Sequence, residues 1–140
     1  EVLHWLTQPT HPPSAVVHCF TGNAIELEKY LDAGCYIGIT GWLCDRTRGD
    51  ELRKLVSMIP DGRLMIETDA PFLRPQNAPD NEQLFIGTLS AQKKYRRRNE
   101  PALLAFVLAQ LAELRQQNPD DLAQLCAANA KRLFGFDAIA

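Results

Sequence analysis

The chain has 140 residues, of which 46% are hydrophobic and 23% charged, with a formal net charge of -2. That balance excludes a disordered or fibrous chain and supplies enough apolar material for the core of one domain or part of one. It also excludes a uniformly basic surface, so any contact with nucleic acid has to come from a local patch. No apolar run approaches the ~20 residues of a membrane span, and no charged, apolar and small-residue leader pattern opens the chain. The expectation is a cytoplasmic protein with no membrane partner. The cysteines, Cys19, Cys35, Cys44 and Cys126, form no C-x-x-C pair. They read as reduced thiols that pack like small hydrophobes. Cys19 stands apart because it follows His18 directly.

In chain order, the opening "EVLHWLTQP" has the character of a helix tail without its beginning, which suggests that something upstream is absent. After Pro12 and Pro13, "AVVHC" (Ala15 to Cys19) is the short apolar run of a buried parallel strand. Asn23 with Glu26 three residues on predicts a helix start with a capping box, and Gly34 its end. "YIGIT" (Tyr36 to Thr40) is the next strand and Gly41 opens a loop. Leu52, Leu55, Val56 and Ile59 then recur at helical spacing within Asp50 to Ile59. "PDG" (Pro60 to Gly62) turns the chain into a third strand, "LMIE" (Leu64 to Glu67). A polar loop, "QNAPDNEQ", leads to a short strand or turn at "LFIGT" (Leu84 to Thr88). Two helices follow. The first starts at Asn99 as cap, has Pro101 in its first turn and carries Leu104, Val107, Leu108, Leu111 and Leu114 on one face. The second starts at Asn118, with Pro119, Asp120 and Asp121 in its first turn, and stops at Gly135.

Strands near Ala15, Tyr36 and Leu64 separated by amphipathic helices are repeated βα units, which build a parallel sheet. Ligands of such sheets sit at the carboxyl ends of the strands. His18, Thr40 and Asp69 occupy those ends. An imidazole and a carboxylate reaching one face are the donors a divalent metal takes. The same residues also suit a hydrogen-bonded core histidine and an Asx-type turn, and residue type alone leaves both readings open.

"VHCFTGN" around His18, "YIGITGWLCDRTRG" from Tyr36, "LMIETDAPFLRP" from Leu64, "RRNEPALL" from Arg97 and "NAKRLFG" in the last helix, taken in that order, resemble the second half of TatD-family metal-dependent deoxyribonucleases. The resemblance runs from about Ala15 to Phe136. It implies an α/β fold, the C-terminal half (about strands five to eight) of a TIM-barrel metal-dependent hydrolase, with residues 1–140 a partial single domain whose N-terminal half is absent. The implied activity is hydrolysis of DNA phosphodiesters, as a 3′ to 5′ exonuclease on single-stranded DNA or 3′ ends. The implied cofactor is a divalent metal, Mg²⁺ first, with Mn²⁺ and Zn²⁺ as alternatives. His18 matches the metal-ligand histidine of the fifth barrel strand and Asp69 the aspartate of the seventh, which binds metal and orients or deprotonates the attacking water. Glu67 lies two residues before Asp69 with the same facing but deeper, which suits a residue that positions the ligands.

The family pattern also asks for an H-x-H pair, a glutamate and a further histidine that have no counterpart here, since His4 and His11 fit none of those motifs. Two metal ligands remain, so the fragment is expected to be inactive alone. Its exposed sheet edges are expected to favour a homodimer. "KKYRRRNE" (Lys93 to Glu100) is either a solvated loop or a phosphate-binding run in which Arg96, Arg97, Arg98 and Asn99 contact DNA and Tyr95 stacks on a base. Arg46 and Arg48 are expected to line the same opening. Trp42 and Phe72 read as loop residues packed on neighbouring helices, with a nucleobase contact as the alternative. Two other functions stay open: a non-catalytic half-barrel interaction module, and an amidohydrolase-like hydrolase of an ester or amide.

Overall fold

Val16–Val17 (β1), Tyr36–Ile39 (β2) and Leu64–Ile66 (β3) form one parallel sheet in the order β1-β2-β3. The computed structural model describes residues 15–79 and 98–136. The opening segment with His4 and His11, the strand or turn expected at Leu84 to Thr88, and Lys93 to Arg97 lie outside the described residues. Between the strands run α1 (Ala24–Asp32) and α2 (Asp50–Leu55), and α3 (Leu104–Arg115) and α4 (Pro119–Phe134) follow the sheet. Short 3₁₀ turns at Gly41–Cys44, Val56–Met58, Asp61–Arg63 and Pro101–Leu103 fill the connections.

Side chains alternate across a strand, so each strand has a helix-side set and an opposite set. Ile37 pairs with Leu64 and Ile39 with Ile66; Ile37, Ile39 and Leu64 belong to the core cluster with Leu27, Leu43, Val107, Leu111 and Leu122, and Ile66 packs against it. α1 packs on β2 and α4 on β3, while α3 joins α4 to the Gly41–Cys44 and Val56–Met58 turns. Burying each leucine contributes about 1.5–3 kcal/mol, and that is what holds the helices to the sheet. The opposite set, including Gly38, Met65 and Glu67, is left facing away from these helices.

Local chemistry sets most helix ends where the sequence places them. Asn23 accepts the Glu26 N–H at 3.0 Å while Glu26 accepts the Asn23 N–H at 2.9 Å, a complete capping box at α1. At the other end Gly34 takes φ +79°, and the N–H groups of Gly34 and Cys35 bond to Leu31 and Tyr30. Asn118, Pro119 and Gly135 bound α4 in the same manner. The Asp50 to Ile59 helix is α only to Leu55 and finishes as a 3₁₀ turn, and β1 stops at Val17 because Cys19 turns the chain at φ 49°.

Asn99 corrects the expected helix cap. The N-cap position of the Pro101–Leu103 turn is Glu100. Asn99 is buried, donating its N–H to Pro71 O at 3.0 Å and its amide to Leu73 O at 3.3 Å. Those carbonyls lie in the loop just after Asp69, and the Asn99 side-chain oxygen accepts the Glu100 N–H at 2.9 Å, so Asn99 ties the loop to the helix entry from one residue ahead of the cap position.

Two polar clamps hold the start of β3. Arg115, almost buried, donates to the Val56 and Ile59 carbonyls and pairs with Asp61. Asn129 of α4 donates to Asp61 O at 2.7 Å and Leu64 O at 2.8 Å. Among the described residues no helix is long and apolar enough to cross a membrane.

Candidate functional site

His18, Glu67 and Asp69 meet at the carboxyl edge of the sheet. The turn after β1 presents His18, whose Nδ1 lies 2.9 Å from Glu67 Oε1 and whose Nε2 lies 3.5 Å from Asp69 Oδ1. Glu67 continues β3 by one residue, its N–H bonded to Ile39 O at 3.0 Å. The same Oε1 accepts the Cys19 N–H at 2.5 Å, which ties the left-handed Cys19 to the acid. Thr40 is buried at the end of β2. Its hydroxyl caps the Trp42 N–H at 3.3 Å and meets Cys19 Sγ at 3.2 Å. Exposure rises outward from Glu67 (23%) through Asp69 (36%) to His18 (59%), so the acid nearest the sheet is the most enclosed.

The Glu67 hydrogen bond and charge raise the His18 pKa above its ordinary value, with Asp69 adding to this and burial opposing it. Burial pushes the Cys19 thiol up despite its Thr40 contact, so Cys19 is not primed as a nucleophile. A neutral imidazole has one N–H and one lone pair. With Nδ1–H donated to Glu67, the lone pair at Nε2 turns to the side where Asp69 lies. His18 Nε2 and Asp69 Oδ1 together therefore fit one divalent cation. Glu67 meets the far nitrogen of the ring and is not a third donor to the same ion. Among the described residues, no three or more His, Cys, Asp or Glu side chains are grouped to hold a metal.

The loop after β2 is a self-contained knot. Asp45, buried, accepts the backbone N–H groups of Thr47 and Arg48, the Thr47 hydroxyl and the Arg48 guanidinium at 2.7–3.0 Å. These bonds, Arg48 foremost, hold its carboxyl well below the usual carboxylate range. Arg48 also stacks 4.3 Å from the Trp42 ring and accepts the indole N–H at its carbonyl. Its Nε and Nη2 are thus engaged by Asp45, while the side chain stays 57% exposed. Arg46 is exposed and anchored through its backbone to Gln76 and Arg53. Arg98 is exposed; Arg96 and Arg97 lie outside the described residues. Asn99 is occupied by the Pro71–Leu73 loop. Trp42 is half-buried against the core and Phe72 is 68% exposed.

Residue reading alone overlooked two glycine contacts and Asn129. A Cβ on Gly41 would stand 1.9 Å from Leu73 O, so this glycine lets the loop after Asp69 lie on the β2 exit. A Cβ on Gly38 would stand 2.5 Å from Glu67 Oε1. The available signal was the pair of glycines in "YIGITG", because glycine inside or just beyond a strand marks a close approach.

A parallel βα sheet with an imidazole and two carboxylates converging at its carboxyl edge defines an α/β protein whose polar site lies where such sheets bind ligands. Comparison with known proteins narrows this. A family model described as TatD related DNase matches residues 1–135. The chain is 48% identical over 123 residues to a 3'-5' ssDNA/RNA exonuclease TatD of Citrobacter koseri, covering 88% of this chain and 43% of that protein. It is 46% identical over 130 residues to the protein of the same name from Pectobacterium atrosepticum, covering 93% and 44%. Among solved structures, YJJV, a TatD homolog from Escherichia coli k12, superposes with a TM-score of 0.72 at 27% identity, covering 94% of this chain and 44% of that one. A TatD-family hydrolase from Entamoeba histolytica gives 0.67 at 26% identity, covering 84% and 41%. The chain belongs to the TatD-related DNase family. It spans less than half the length of the relatives named here.

Proposed function

We propose that this chain is the C-terminal half of a (β/α)8-barrel hydrolase that removes nucleotides from the 3′ end of single-stranded nucleic acid in the cytoplasm. The carrying observation is the convergence of His18 Nε2 and Asp69 Oδ1, 3.5 Å apart, at the carboxyl edge of a parallel sheet. The relatives named 3'-5' ssDNA/RNA exonuclease support the substrate class.

His18 Nε2 and Asp69 would hold a divalent cation, Mg²⁺ first and Mn²⁺ or Zn²⁺ as alternatives. When bound, the cation supplies Lewis acidity for hydrolysis of a phosphodiester. Asp69, at the more exposed position, orients the attacking water and takes its proton at a carboxylate oxygen. Glu67 holds the Nδ1 proton of His18 and fixes the ring plane, the usual support behind a ligating histidine. Arg46 and Arg98, with Arg96 and Arg97, provide phosphate contacts that keep the strand over the site. The further ligands of a three- or four-donor site come from the N-terminal half of the barrel, so the 140-residue chain binds cation weakly and turns over poorly alone. Pairing of two copies edge to edge is the alternative arrangement, and a single-chain mass in light scattering excludes it.

The test is titration with Mn²⁺ and hydrolysis of 3′- and 5′-labelled single-stranded DNA, on this chain and on a full-length form carrying it. In the full-length form, shortening from the 3′ end that disappears in Asp69→Ala, together with weakened Mn²⁺ binding, is the expected result. Asp69→Ala with intact Mn²⁺ affinity and turnover refutes the assignment.

A further inference from the structure

We infer that Gly38 is a positioning residue: its missing side chain forms the notch in which the Glu67 carboxylate lies, and through Glu67 it decides which His18 nitrogen faces the cation. The inference deepens the proposed function and rests on its reading of His18 as a donor. The notch can nevertheless be examined in the protein without cation.

The geometry is specific. Gly38 pairs with Met65 across β2 and β3, and the Glu67 side chain folds back over that pair toward β2. A Cβ at position 38 would lie 2.5 Å from Glu67 Oε1, 2.7 Å from its carboxyl carbon and 3.0 Å from Oε2, so all three carboxylate atoms occupy the glycine's empty volume. From there Oε1 reaches His18 Nδ1 at 2.9 Å and the Cys19 N–H at 2.5 Å. The colliding group is the end of a flexible side chain, so alanine at 38 moves the carboxylate rather than the backbone. Both contacts of Oε1 are then lost together. His18 is released to place its proton on either nitrogen and to rotate about χ2.

Gly41 shows the contrast. There an added Cβ meets the Leu73 carbonyl, which is backbone and cannot yield cheaply. Gly41→Ala should therefore damage folding, whereas Gly38→Ala should not. Replacing a strand glycine with alanine ordinarily lowers the unfolded-state entropy and favours the fold. A function confined to packing would thus show up as lost stability, and positioning would not.

The experiment uses ¹⁵N-edited NMR of the histidine rings without metal, at a pH where the His18 ring is neutral, followed by Mn²⁺ titration. The wild-type protein should show a single Nδ1–H tautomer at His18. Gly38→Ala should show a mixture or the Nε2–H form, an unchanged or higher thermal midpoint, and about tenfold weaker Mn²⁺ binding. Because Gly38 acts through Glu67, Gly38→Ala should add nothing in a Glu67→Ala background. Should Gly38→Ala fail to fold, Glu67→Ala alone must still release the tautomer. An unchanged tautomer in both single variants overturns the inference, as does an undiminished effect of Gly38→Ala when Glu67 is already alanine. A tautomer change in a protein whose wild type binds no Mn²⁺ keeps the notch and removes the cation reading instead.

Discussion

Replacing Asn129 tests the clamp that sets β3 in place. Asn129 is 2% exposed, and its amide bonds the Asp61 and Leu64 carbonyls at 2.7 and 2.8 Å while its oxygen accepts Arg132 at 3.1 Å. Asn129→Leu keeps the heavy-atom branching of the side chain and adds bulk, so no cavity opens, and the cost expected at the least comes from the two abandoned carbonyls. The Leu64 carbonyl bond is buried and the Asp61 one is partly buried. A buried polar group without its partner costs about 1–3 kcal/mol, and a partly solvated one sits at the low end, which gives about 2–4 kcal/mol in all. A small domain has only about 5–15 kcal/mol of stability, so the change is large. Urea unfolding followed by tryptophan fluorescence should show a lower midpoint with the same slope. A loss below about 1 kcal/mol would refute the reasoning, because it would mean that water or a shifted Arg132 satisfies both carbonyls.

The Asp45 carboxyl has a folded pKa far below its ordinary 3.8, so its stabilising effect is complete above the unfolded value and disappears as pH falls through the folded one. Asp45→Ala should therefore lower stability at neutral pH and flatten the acid limb, read from unfolding midpoints between neutral and strongly acidic pH. An acid limb as steep as the wild type's would rule out this source. Arg46→Ala with Arg98→Ala, in a full-length form, should weaken single-stranded DNA binding and reduce the salt slope by about 0.7 for each phosphate contact removed. An unchanged slope would show that these arginines do not meet phosphate.

Much of the architecture could be read from residues close in the chain. Asn23 with Glu26, Gly34, and Asn118, Pro119 and Gly135 specify helix ends because each satisfies backbone groups within a few residues of itself. The alternation of apolar strands and amphipathic helices determined a parallel sheet, and that alone placed His18 and Asp69 at its carboxyl edge. Tertiary structure decided which polar side chains were left for chemistry. By local rules Asn99 was a helix cap, yet the cap position falls on Glu100, and Asn99 donates to the Pro71 and Leu73 carbonyls while its oxygen accepts the Glu100 N–H. Arg48 had the makings of a phosphate ligand, yet Asp45 and Trp42 hold it. The space at Gly38 exists only once β3 lies beside β2 and Glu67 folds across. A side chain's partners depend on which distant groups the core brings within about 3 Å, and neither composition nor periodicity encodes that distance.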